Sequence, residues 1–211
     1  MSTLPQPTRR HDPEALRDQI RGAALRLFAR NGYSGTSIQQ IADAVGISKQ
    51  LLLYHAVSKE ALRQSVVDDI ARAWTELLPR LLEAITSPPD RLEGVIDALA
   101  AFLDGHSEMA RVVLFELISD SGQVAANIEG TVRPWMQVAA DLIRQRQAEG
   151  VFDPDADPEA FLVGIATLLL GTIALLDVTS TQWPVGTPTD VWRRRRLREA
   201  VRMVRASAAA R

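Results

Sequence analysis

The chain has 211 residues, of which 46% are hydrophobic and 24% are charged, an ordinary composition for a globular protein of one medium or two small domains. It contains no cysteine, which excludes disulfides, thiolate metal sites and cysteine nucleophiles and fits a reducing, cytoplasmic location. The net charge of -2 conceals an asymmetry, because residues 1–60 carry eight Lys or Arg against five Asp or Glu. Such a basic end on an acidic body is suited to approaching phosphate.

Helical periodicity runs through almost the whole chain, and the alternation typical of strands is nearly absent. Residues 1–13 are polar and contain prolines, so we predict a disordered arm there and no signal peptide. Capping residues and glycines delimit the predicted helices: 13–30, a short helix after Thr36 or Ser37, 48–55, 59–86, 90–104, 107–119, 123–149, 159–178 and 189–208. The predicted fold is therefore all-α, with about nine helices.

The segment from Thr36 to Lys59 has the pattern of a helix-turn-helix unit. Two short helices flank a turn at Gly46, and Ala42 is small where the two helices must cross. The second helix is expected to enter the major groove of DNA, where Gln50 would hydrogen-bond base edges and Leu51 would touch a thymine methyl. Contacts with phosphate and the flanking strand are expected from the other polar residues: Thr36, Ser37, Gln39, Ser48, Lys49, Tyr54, His55 and Lys59.

The run IRGAALRLFARNGYSGTSIQQIADAVGISK, the YH pair and the SKEAL sequence together resemble the TetR family of bacterial regulators, over about residues 17–62. The resemblance implies a dimeric transcriptional regulator, not an enzyme, and in particular a repressor released from a palindromic operator by a small molecule. It also implies a DNA-binding domain at 14–60 and a ligand-binding and dimerisation domain at 61–211.

Two positions depart from the family pattern, which has an aromatic where Leu53 stands and a phenylalanine where Ala56 stands. Losing a buried ring costs about 3–5 kcal/mol when nothing refills its space. The leucines at positions 51 to 53 are the candidates to refill it.

The predicted helix after Pro158 is apolar around nearly its whole circumference. It is short for a membrane span, so we predict burial on all sides and no membrane association. Its small residues fall on one stripe at helical spacing and are predicted to form a homodimer interface: Ala160, Gly164, Thr167, Gly171 and Ala174. The resemblance implies that this helix and the last one pair with the same helices of a second copy. A central core helix in a monomer is the alternative.

The middle helices carry side chains that are candidates to line a pocket for an apolar or amphipathic ligand, although each also fits ordinary core packing: Trp74, Phe102, His106, Met109, Phe115, Trp135 and Met136. Glu116 interrupts an apolar run, and we predict that it is exposed and not an anchor for the ligand. A ligand among these helices would move the long fourth helix and change the separation of the two recognition helices. A ligand-independent DNA-binding protein and a helical enzyme are the alternatives.

No cofactor or metal is expected, because the three histidines lack metal-ligand spacing and no nucleotide-binding or nucleophile motif is present. The arginine-rich segment beginning at Arg193 is predicted to be a solvated face that pairs with acidic residues, not a DNA contact.

Overall fold

The computed structural model describes residues 13–86, 91–119, 123–175 and 188–208. Nine helices make up nearly all of these ranges: α1 Pro13–Asn31, α2 Ile38–Val45, α3 Lys49–Ala56, α4 Lys59–Thr86, α5 Arg91–Gly105, α6 Ser107–Ile118, α7 Gln123–Ala148, α8 Pro158–Ala174 and α9 Thr189–Ala208. The all-α prediction is confirmed. The predicted disordered arm lies outside the described residues, apart from Pro13, which begins α1.

The chain forms two compact units, Met1–Val66 and Val67–Arg211, and the boundary between them falls within α4. In the first unit, apolar side chains that recur at helical spacing along α1 face inward, among them Ile20 and Phe28. The helix packs against α2 and α3, whose side chains Ile41 and Leu52 are fully buried. Burying each such side chain contributes about 1.5–3 kcal/mol to stability, so these short helices are held by a shared core, which their length alone would not provide.

The link between α1 and α2 is tight. Gly32 has a φ of 72°, and its N–H donates to the Phe28 carbonyl at 2.9 Å, which ends α1. Three residues later the chain passes so close to α1 that a Cβ on Gly35 would lie 2.3 Å from the carbonyl oxygen of Asn31. A side chain at position 35 therefore requires the end of α1 to shift.

Val57 joins α3 to α4 in a strained backbone conformation, with φ 59° and ψ -52°. The N–H of Ser58 donates to the Ala56 carbonyl at 2.6 Å, which makes this a γ-turn centred on Val57. A β-branched residue rarely adopts positive φ, and the Val57 side chain is 78% exposed, so packing does not compensate for the strain.

Replacing Val57 with glycine is therefore expected to raise the free energy of unfolding by about 1 kcal/mol. Relief of about 1–3 kcal/mol of backbone strain exceeds the added entropy loss of glycine, about 0.5–1 kcal/mol. Urea unfolding measures the change. Val57→Ala is the matched control, because it retains a Cβ at positive φ and should recover little of the gain. A glycine variant no more stable than the wild type would contradict the assignment of strain.

The second unit is built around α8, which packs against α5, α6, α7 and α9. Asp157 caps it by accepting from the Ala160 N–H at 2.8 Å, and Pro158 occupies its first turn, as predicted. Ile165, Leu169 and Ile173 form its inner face. No helix in the described part of the chain is long and apolar enough to cross a membrane.

The last helix is fastened to α5 by charged side chains. Arg193 donates from Nε to the Asp104 carboxylate at 2.7 Å and from Nη2 to the Asp104 carbonyl at 3.0 Å. Arg205 donates to Asp97 at 2.7 Å. The prediction that arginines of α9 pair with acidic residues is confirmed for these two.

Candidate nucleic-acid interface

The two helices of the predicted motif are delimited by side-chain caps. Ser37 accepts from the Gln40 N–H at 3.1 Å while the Gln40 side chain accepts from the Ser37 N–H at 2.7 Å, a reciprocal arrangement that starts α2. Gly46, with a φ of 76°, ends α2, and Ser48 starts α3 by accepting from the Leu51 N–H at 3.1 Å. The turn between the helices is thus three residues long, as predicted.

The second helix, α3, buries one side and presents the other. Leu52 is fully buried, whereas the side chains expected to contact DNA are on the outside: Ser48, Lys49, Gln50, Leu51 and Tyr54 are all exposed. Tyr54 is 81% exposed, a large aromatic surface left in water. An eight-residue helix with this outward face matches the geometry by which recognition helices read the major groove.

The leucines that were candidates to replace the missing ring behave differently from one another. Leu52 occupies the interior, Leu53 is half-buried and Leu51 lies on the surface at 40% exposure. Ala56 is half-buried. Only Leu52 therefore contributes fully to the core on which α3 rests.

His55 is half-buried and stands edge-on to Tyr54, with ring centroids 5.2 Å apart. It borders a surface groove of about 540 Å³ with Pro13, Leu16, Gly46, Ile47, Ser48 and Leu51. Its Nδ1 atom is enclosed, and no hydrogen-bond partner for it exists among the described residues. A proton donated by His55 to phosphate would therefore come from Nε2.

Thr36 does not belong to the DNA-contacting surface. Its side chain is buried, with 2% exposure, and its hydroxyl lies 2.9 Å from the Gly32 carbonyl and 3.1 Å from the Leu27 carbonyl, to which it donates. The prediction that Thr36 holds the flanking strand is wrong. Its neighbours Ser37 and Gln39 are exposed, although the Gln39 amide already donates to Asp43 at 2.7 Å.

Replacing Thr36 with valine is expected to lower the free energy of unfolding by about 1–2 kcal/mol, since two inward-facing carbonyls lose their donor. Thr36→Ser, which keeps the hydroxyl, should lose less. Urea unfolding gives the stability, and DNA binding is then compared below the unfolding transition. A valine variant that is as stable as the wild type but defective in DNA binding would show that Thr36 contacts DNA after all.

Lys59 lies in the first turn of α4, with its Nζ atom 4.1 Å from the centroid of the Tyr33 ring. Sequence reasoning did not assign a role to Tyr33, although it lies within the run that carries the family resemblance.

The stripe of small residues on α8 is open along its N-terminal part. Ala160, Gly164 and Thr167 are exposed, and Val163 beside them is 57% exposed. Gly171 is half-buried. Ala174 differs from these residues: it is enclosed within the protomer, with 3% exposure, as are its neighbours Thr172 and Ile173. Its assignment to a dimer interface is wrong.

A groove of about 370 Å³ runs between α8 and α9, lined by Leu168, Thr172, Trp192, Arg195, Arg196, Glu199, Ala200 and Met203. The Trp192 indole N–H is enclosed within the protomer, and the described side chains and carbonyls offer it no acceptor. Hydrogen bonds from Arg202 to Glu199 lower the pKa of the Glu199 carboxyl and raise that of the Arg202 guanidinium. The groove is thus lined by charged side chains, Glu199 among them, as well as by apolar ones.

Three of the predicted pocket residues form a closed stack. The Trp74 and Phe102 ring centroids are 5.2 Å apart, and those of Phe102 and His106 are 4.5 Å apart. His106 donates from Nδ1 to the Phe102 carbonyl at 2.8 Å, which holds the imidazole against the ring. Met109, Trp135 and Met136 are half-buried.

The two sides of α6 are the reverse of what was predicted. Glu116 is 7% exposed and lies on the same side as Val112 and Val113, whereas Phe115 is 40% exposed. Phe115 was expected in the pocket and Glu116 at the surface, and both predictions are wrong. Residues 112–118 are apolar apart from Glu116 itself, and in such a run periodicity does not distinguish the inner face.

The first unit packs α2 and α3 across a three-residue turn and leaves one side of α3 exposed. This arrangement defines a helix-turn-helix DNA-binding protein. Residues 20–66 match the family model for bacterial regulatory proteins of the tetR family, and residues 88–204 match the model for a tetracyclin repressor-like C-terminal domain. The chain belongs to the TetR family of bacterial transcriptional regulators. The predicted class, a DNA-binding transcriptional regulator, is confirmed.

Relatives agree with this assignment. The chain is 28% identical to the HTH-type transcriptional repressor KstR2 of Mycolicibacterium smegmatis, over 69% of this chain and 71% of that protein. It is 27% identical to the HTH-type transcriptional regulator RutR of Escherichia coli K12, over 69% and 68%. A tetR-family regulatory protein from Rhodococcus RHA1 superposes with a TM-score of 0.65 at 26% identity, covering 93% and 98% of the two chains. The ketosteroid transcriptional regulator KstR2 of Mycobacterium tuberculosis shares the fold, with a TM-score of 0.64 at 21% identity over 89% and 93%.

Proposed function

We propose that the protein is a cytoplasmic, homodimeric repressor that binds a near-palindromic DNA operator and is released from it by a small apolar or amphipathic ligand. Residues 14–60 bind DNA, and residues 61–211 bind the ligand and the second copy. The observation that carries the proposal is the outward face of α3, where Lys49, Gln50 and Tyr54 are exposed on a helix anchored by fully buried Leu52.

The residues of this face have separate tasks. Gln50 hydrogen-bonds base edges and Leu51 contacts a thymine methyl, so these two select the sequence. Ser48, Lys49, Tyr54 and His55, together with Lys59, contact phosphates and fix the orientation of the helix. Ser37 and Gln39, at the start of α2, contact the backbone of the flanking DNA strand.

Selection of bound sequences from random double-stranded DNA tests the proposal. We expect an inverted repeat whose half-sites are spaced by one helical turn or a multiple of it. Gln50→Ala should relax the preference at one or two positions of each half-site, by about 1–3 kcal/mol. Lys49→Ala is the contrasting variant, since losing a phosphate contact weakens binding to all sequences alike. Enrichment of a single half-site, or of no sequence, would contradict the proposal.

Dimerisation through α8 and α9 is supported by two features of the protomer. The small residues Ala160, Gly164 and Thr167 leave the N-terminal part of α8 open to close approach by another helix. Met203 of α9 is 52% exposed at the groove between the two helices, and a second copy packed there would cover this apolar side chain.

Ligand sensing is centred in the second unit, near the Trp74, Phe102 and His106 stack. Trp74 belongs to α4 and Phe102 to α5, so a ligand that opened the stack would displace α4. A bias of about 1–3 kcal/mol between two states is sufficient for regulation. Because KstR2 of Mycobacterium tuberculosis is described as a ketosteroid regulator, steroid-like compounds are the first probes.

Calorimetric titration of the protein with its selected operator, with and without such compounds, tests sensing. A fall in operator affinity supports the proposal. The closed geometry of the ring stack favours the second candidate, a ligand-independent regulator. Unchanged affinity across a broad compound library would establish that candidate instead.

A further inference from the structure

We propose that Tyr33 is a positioning residue for DNA binding: its ring holds the ammonium group of Lys59 where this group meets a DNA phosphate. The inference rests on the proposed function, because it takes Lys59 as a phosphate contact. Tyr33 itself lies in the link between α1 and α2 and is half-buried.

The Tyr33 side chain contacts charged side chains in the first two turns of α4. Lys59 Nζ is 4.1 Å from the ring centroid, and the Arg63 guanidinium carbon is 4.8 Å from it. The Tyr33 hydroxyl donates to Glu60 at 2.7 Å, and Glu60 also accepts from Arg63 at 3.2 Å. One aromatic side chain therefore contacts three charged residues of a single helix.

The ring is itself held in place. Its centroid is 5.6 Å from that of Phe28, a residue of α1 that is buried with 3% exposure. The Tyr33 carbonyl accepts from the Thr36 N–H at 3.2 Å, and the Thr36 hydroxyl fastens the same loop to α1. Tyr33 is thus fixed to the body that carries α2 and α3, so the position of Lys59 is fixed relative to the recognition helix.

A ring is a suitable holder for a cation that must also bind phosphate. A lysine paired with a carboxylate has its charge neutralised, whereas contact with a ring face leaves the positive charge and most of the N–H donors available. The carboxylate of this turn, Glu60, is engaged by Tyr33 and Arg63. Holding the flexible lysine stem before DNA arrives also reduces the entropy lost on binding.

The test measures how the operator dissociation constant of the full-length protein depends on salt. Each phosphate neutralised contributes about 0.9 to the slope of log K against log salt concentration. With one Lys59 in each half of a dimer, Lys59→Met should lower the slope by about 1.8. Tyr33→Leu should lower the slope in the same direction, whereas Tyr33→Phe, which keeps the ring, should leave it unchanged.

The Tyr33→Leu, Lys59→Met double variant separates positioning from a general structural role. We expect it to bind no more weakly than Lys59→Met alone. Should Tyr33→Leu fail to fold, pentafluorophenylalanine at position 33 replaces it, because this residue keeps the shape of the ring and reverses its electrostatic character. The pentafluorophenylalanine variant should lower the slope of the salt dependence, as is expected of Tyr33→Leu.

Two results would overturn the inference. One is a Tyr33→Leu or pentafluorophenylalanine variant that weakens binding equally at all salt concentrations, with the wild-type slope. The other is a Lys59→Met variant with an unchanged slope, which removes the phosphate contact that Tyr33 would position. Both differ from failure of the proposed function, in which the wild-type protein selects no operator at all.

Discussion

Gly164→Arg is expected to convert the protein from a dimer to a monomer and to weaken operator binding by about a hundredfold or more, because two linked half-sites bind far more tightly than one. Gly164 is exposed at the middle of the open stripe of α8. A Cβ at this position meets no atom within 4 Å, so the protomer tolerates the arginine. A second helix packed against the stripe does not. Sedimentation equilibrium measures the dimer, and titration with the selected operator measures binding.

The matched control is Gly130→Arg. Gly130 is also an exposed helical glycine with open space around its Cβ position, but it lies on α7. This variant carries the same added charge and volume and should remain a dimer with full affinity. If Gly164→Arg also remained a dimer, α8 would not be the interface and a different face would have to be sought.

Gly35→Ala is expected to lower the free energy of unfolding by about 1–3 kcal/mol, the range for forcing atoms into occupied space. The added Cβ would lie 2.3 Å from the Asn31 carbonyl oxygen, a backbone atom that moves only if the end of α1 moves. Since this link also carries Tyr33 and Thr36, operator affinity should fall too. Urea unfolding and operator titration measure the two effects.

Gly130→Ala is the same change of glycine to alanine, but here we expect the free energy of unfolding to rise. Its Cβ meets no atom within 4 Å, and alanine is favoured over glycine in a helix by about 0.5–1 kcal/mol. The variant should be more stable than the wild type. Equal stability of Gly35→Ala and the wild type would mean that the link relaxes without strain.

The positions of the helices could be predicted from the sequence because their ends depend on local chemistry. Ser37, Ser48 and Asp157 accept from backbone N–H groups at helix starts, and glycines at positive φ end α1 and α2. These interactions span three or four residues, so a sequence pattern is sufficient to identify them. The buried and exposed sides of α3 followed from the placement of its polar residues around the helix, since Lys49, Gln50 and Tyr54 are exposed and Leu52 is buried.

Predictions about individual side chains were wrong where contacts distant in sequence decide the outcome. Thr36 was assigned to DNA from its place before a helix, but its hydroxyl finds a carbonyl nine residues earlier, at Leu27. Phe115 and Glu116 could not be assigned to a face within an apolar run. Tyr33 was given no role, because its partners Lys59 and Glu60 lie more than twenty-five residues away and become neighbours only on folding.

The boundary between the two compact units falls inside α4, not in a linker, and this limits how such a protein can be recombined. Leu62 and Val66, on the N-terminal side of that boundary, are each 2% exposed. A chimera that took only residues up to 60 from this chain would thus lose part of its own core. The splice has to fall farther along the helix, and each residue gained or lost there turns everything downstream by about 100°.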